Sequence, residues 1–99
     1  MKNKSSAHTN AFDVLRATLV ALVPDIDGVS GIKGGMDAIT IEHIDKDIIE
    51  VVVPITVFPS AQIAKVVDKV SAFTEKVISG IVGSHYIVRV VVLVEDVVE

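Results

Sequence analysis

Cysteine and tryptophan are both absent from the 99 residues of this chain. Without cysteine there are no disulfides, no thiolate metal sites and no cysteine nucleophile, an absence that agrees with a cytosolic protein. Aromatic residues are only 4% of the sequence, so the core has to be aliphatic. Basic residues are scarce too: Lys and Arg number 9 against 13 Asp and Glu, a formal net charge of −4. Nucleic-acid binders draw most of their affinity from Lys and Arg on phosphates, so this balance argues against that class. Long apolar runs are missing. The longest, such as Val90 to Val94, fall well short of the ~18 residues that mark a membrane-spanning helix. The opening residues, MKNKSSAHTN, put no apolar stretch behind their lysines and do not read as a signal peptide. The expectation is a soluble chain.

What the sequence does have is valine and isoleucine. Apolar residues make up 51% and charged residues 22%, a globular composition. The length suits one domain with a single modest core. β-Branched side chains fit a pleated surface better than a helix, which points to sheet.

Along the chain, residues 1–9 are polar and aperiodic and are expected to form a flexible arm. In NAFDVLRATLVALVP, Phe12, Leu15, Leu19 and Leu22 fall on one helical stripe, with Asn10 and Asp13 spaced as a capping box and Pro24 as the stop. The glycine-rich DIDGVSGIKGGMD is expected to be a loop, with Ile26, Val29 and Ile32 tucked against the domain. Residues 38–44 alternate as a strand, and Asp45–Asp47 make a hairpin connection. A second strand, Ile48–Phe58, has uniformly aliphatic odd positions. Pro54 interrupts it and marks an edge, a bulge or an unpaired stretch. Ser60 is placed to cap a helix whose stripe is Ile63, Val66, Val67, Val70, Phe73 and Val77, and Gly80 or Gly83 stops it.

The order is αββαβ, with helices over 10–23 and 60–79. It predicts a single α+β domain over residues 10–99: two layers, a three-stranded mixed sheet and two helices on one face.

The last stretch, YIVRVVVLVEDVVE, raises a question. Even positions from Tyr86 to Val94 suit a core, yet the odd face (Ile87, Arg89, Val91, Leu93, Glu95) is only partly suited to water. Two helices cannot cover both sides of a sheet. The strand also looks long for its domain: Tyr86–Val98 would span about 43 Å against a diameter of roughly 34 Å, an overhang. Ile87, Arg89, Val91 and Leu93, with Ile48, Val52 and Phe58, are therefore the candidate surface for self-association or a partner. The alternative is that Arg89 and Glu95 simply keep this face wet.

Several features resemble the alkaline shock, or envelope stress response, proteins of Gram-positive bacteria, over roughly Phe12 to Val97. They are the turn Gly28-Val29-Ser30-Gly31 followed by Gly34-Gly35, the strand pattern Val51-x-Val53-x-Ile55, the helix stripe Ala64, Val67, Val70 and Val77, and the ending Val92–Val97. Thr74 stands where that pattern has an apolar helix position. The resemblance implies an abundant, non-enzymatic cytoplasmic protein, in some members held at the membrane by an anchoring partner. It brings no catalytic residues.

Other chemistries find little support. His8, His43 and His85 have no local ligand spacing, and Glu42 and His43 point to opposite faces of a strand, so no metal site is expected. Gly31-Ile32-Lys33-Gly34 fits the GxxG pattern, and the element order resembles a KH domain, which makes a KH-like RNA-binding module the alternative. The KH loop joins two helices, however, and this one leads into a strand. A simple glycine turn, with Gly28, Gly31, Gly34 and Gly35 supplying positive φ, is the plainer reading. Ser30, Ser60 and Ser84 lack the context of a nucleophile. No cofactor, catalytic residue or nucleic-acid partner is expected. The expected partners are other copies of the chain and an anchoring protein.

Overall fold

A computed structural model of the chain describes residues 3–98. Its elements are α1 (Asn3–Leu22), β1 (Val29–Ile32), β2 (Thr40–Asp45), β3 (Ile48–Val57), α2 (Ile63–Val82) and β4 (Ile87–Val97), with 3-10 turns at Val23–Asp25 and Met36–Ala38. The fold is α+β, and β3 organises it.

β4 runs parallel to β3 from Ile48↔Ile87 to Val57↔Val97. On the other side, β2 lies antiparallel against residues 48–52 and β1 antiparallel against residues 55–57. Two short strands thus share, end to end, the place of one long strand. The expected three-stranded sheet gains a fourth strand because residues 29–32 pair with β3 and do not form a loop. Glycines hid it: Gly31 breaks the apolar alternation, and the ladder carries a register shift between Val29 and Gly31.

That arrangement explains Pro54, which sits in the central strand and not at an edge. It falls between the stretch paired with β2 and the stretch paired with β1. Its carbonyl accepts from the Lys33 N–H at 3.0 Å. The N–H and C=O of a strand residue point the same way, so the missing donor falls at this junction and costs no ladder bond within β1 or β2.

The overhang does not occur. β3 matches β4 along its length, and the molecule is elongated, with extents of 48 × 25 × 19 Å. α1 starts at Asn3, well before the expected cap at Asn10, so most of the expected arm is helical. No glycine or proline in KSSAHT stops a helix already nucleated. Met1 and Lys2 lie outside the described residues. At its other end the buried stripe passes from Leu15 and Leu19 to Val23, while Leu22 is exposed. The Arg16 Nε–H donates to the Ile39 carbonyl at 2.9 Å and ties α1 to the chain before β2.

α2 begins at Ile63 and not at Ser60, because the Ala61 N–H closes a turn onto the Phe58 carbonyl (3.0 Å) before the helix starts. Gly80 stays helical. Gly83, at φ +100°, ends the helix, its N–H donating to the Ser79 carbonyl at 3.1 Å. The odd positions of β3 (Ile49, Val51, Val53, Ile55, Val57) are buried, in one core with Leu15, Leu19, Val66, Val70 and Ile78.

Thr74 also belongs to that interior. It is fully buried, and among the described residues its Oγ1 has no hydrogen-bond partner. A buried hydroxyl without a partner costs about 1–3 kcal/mol. Thr74→Val keeps the shape and removes that cost. We expect it to raise stability by about 1 kcal/mol and the melting temperature by roughly 4–8 °C. Thermal denaturation checks this, and a lower melting temperature would show that the hydroxyl finds a partner.

Candidate interaction surface

The register of β3 and β4 builds the candidate surface pair by pair. Ile48 lies beside Ile87, Glu50 beside Arg89, Val52 beside Val91, and Pro54 beside Leu93. Paired residues share a face, and these are the ones whose neighbours along β3 are buried in the core. On β4 the even residues Val88, Val92 and Val94 pack against the core. The odd residues turn outward: Ile87 is 60% exposed, Val91 36% and Leu93 42%. The opposed faces of the last strand are therefore as its alternation suggests.

Charges border this surface. An Arg89 Nη lies 3.7 Å from a Glu50 carboxylate oxygen, across the strands. On β2, Glu42 is paired with Glu50 and Thr40 with Val52. An exposed ion pair of this kind contributes little to stability. Its effect is local: it holds Arg89 over the sheet, next to the apolar centre made by Val52, Val91 and Leu93. Glu50 was not among the candidate residues. Its place opposite Arg89 depends on strand register, which the sequence does not show.

Phe58 does not join this group. It lines a separate cleft of about 380 Å³ with Gly28, Ser60, Ala61, Lys65 and Val66. Of the four candidate glycines, Gly28, Gly34 and Gly35 have positive φ, whereas Gly31 does not. Gly31 is inside β1, opposite Thr56, so the GxxG segment is half strand and does not join two helices.

His43 and His85 each lie against the same ring, that of Tyr86. The Tyr86 ring lies 5.7 Å from the His43 ring and 4.3 Å from the His85 ring, and Phe12 stacks near His43 at 5.8 Å. This is an aromatic cluster bridging α1, β2 and the start of β4. Among the described residues no group of three or more His, Asp or Glu could hold a metal. Among them, too, no helix is long and apolar enough to cross a membrane.

Fold and surface together define a small α+β domain with an exposed apolar strip on a mixed sheet. No family model, no curated protein and no solved structure matches the chain.

Proposed function

We propose that this protein is a non-catalytic module of the alkaline shock or envelope stress response type, acting through self-association and protein–protein contacts. The observation that carries the reading is the exposed strip of Val91 and Leu93, flanked by Ile87, on the outward face of β4. Contiguous exposed apolar surface of this kind marks a contact site. The accompanying architecture is two layers: both helices lie over the odd face of β3, and on the other face the strip around Val91 and Leu93 is left for a partner. The family resemblance extends the proposal to a cytoplasmic setting and to an anchoring protein at the membrane as a second partner.

Light scattering over a concentration series tests it. The mass is expected to rise above the 10.5 kDa of one chain. A mass that stays at one chain at high concentration overturns self-association. Single-stranded RNA provides the contrasting arm. Tight, salt-steep binding abolished by Lys33→Glu would replace this reading with the KH-like one. The net charge of −4 speaks against that result.

A further inference from the structure

We propose that the free edge of β4 pairs antiparallel with β4 of a second copy, about a two-fold axis at Val92. This rests on the self-association reading and gives it a geometry. Among the described residues β4 pairs only with β3, so its other edge is unpaired along its whole length. Natural sheets usually protect such an edge with proline, lysine or inward-pointing charge. Between Val90 and Val94 this edge has none of them.

The backbone sets which residues can pair. The Ile87 N–H donates to the Asp47 carbonyl at 2.8 Å, so odd residues of β4 turn their backbone groups toward β3. Even residues, Val88 to Val94, therefore turn theirs to the open edge. An antiparallel two-fold centred on Val92 pairs Val92 with its own counterpart and Val90 with Val94, each as a hydrogen-bonded pair. About six interchain hydrogen bonds result.

Charge selects this register over its neighbours. Centred on Val92, the pairing places Arg89 opposite Glu95 of the second copy, twice, and Val91 opposite Leu93. Val91 and Leu93 form a non-hydrogen-bonded pair, whose side chains approach most closely, while Glu95 is the residue the β3–β4 ladder skips at the end of the regular edge. Centring on Val91 instead sets Arg89 against Leu93 and Glu95 against Ile87. Centring on Leu93 sets Arg89 against Val97 and Glu95 against Val91. Only the Val92 register satisfies both charges and keeps Val91 and Leu93 together. A register shift in the β3–β4 ladder just beyond Val94 ends the regular edge near Glu95. On the helix side, Val90 lines an open depression together with Asp68, Ser71, Ala72 and Glu75. The pairing is closed and isologous, giving a dimer and not a fibre.

Cysteine scanning tests the axis, because the native chain has no cysteine. The two-fold holds the Val92 Cα atoms about 5.5 Å apart, within disulfide reach. Leu93 and its counterpart are diagonal, at roughly 7–8 Å, beyond it. Under oxidation Val92→Cys is expected to form a covalent dimer, and Leu93→Cys is not. Independently, Arg89→Glu and Glu95→Arg should each raise the dimer dissociation constant by about tenfold or more, through like charges placed opposite. Mixing the two variants should restore dimers, since each then supplies the missing sign. Cross-linking through Leu93→Cys but not Val92→Cys, or no recovery on mixing, overturns the edge pairing and leaves self-association standing. A wild-type chain that is monomeric at all concentrations overturns both.

Discussion

Gly28→Ala is expected to cost about 2–4 kcal/mol of folding stability, a large part of the 5–15 kcal/mol that holds a typical domain together. Two independent effects add. Gly28 has φ +96°, a region where a residue with a Cβ is strained by about 1–3 kcal/mol. A Cβ built there would also lie 2.6 Å from Val66 Cγ2 and 3.3 Å from Ala61 Cβ. Val66 is a buried residue of α2 and cannot swing away without disturbing the core. Gly80→Ala is the internal control. Gly80 is inside α2 with nothing near its would-be Cβ, so alanine there should stabilise by about 0.5–1 kcal/mol. Urea denaturation of both variants measures the contrast. Equal, small effects would show that the segment before β1 gives way easily and that the contact with α2 is unimportant.

Leu93→Lys is expected to separate association from folding. Leu93 is 42% exposed on the outward face of β4, beside Pro54 of β3. The monomer should lose no more than about 0.5 kcal/mol, the range for surface changes. Association should weaken by about tenfold, because each Leu93 lies beside Val91 of the second copy in the edge pairing and a lysine forfeits both apolar contacts. Sizing by light scattering, with thermal denaturation beside it, reads both quantities. A variant that unfolds would place Leu93 in the core. One that associates as the wild type does would remove this face from the interface.

Much of the domain was legible in the sequence. The aliphatic odd positions of β3, Ile49 to Val57, announce a buried strand face. The alternation of β4 assigns Val88, Val92 and Val94 to the core and Ile87, Val91 and Leu93 to the outside. The valine stripe of α2 reads as a helix. These signals are local: a period of 2 or 3.6 is visible among neighbours in the chain, whatever they later touch.

Other features came only from the tertiary structure. Residues 29–32 look like loop because two of their neighbours are glycines, and they become a strand only because β3 leaves an open stretch beyond β2. Pro54 looks like an edge signal. It is tolerated in the centre because the junction of two short strands happens to face it. Thr74 looks like a break in the helix stripe and turns out to be fully interior. The pairing of Glu50 with Arg89, and the unpaired edge of β4, follow from register. Periodicity decides which way each side chain faces, since that depends on a residue's own turn of the backbone. Which strand lies beside which depends on contacts far apart in the chain, and there the sequence carries no local mark.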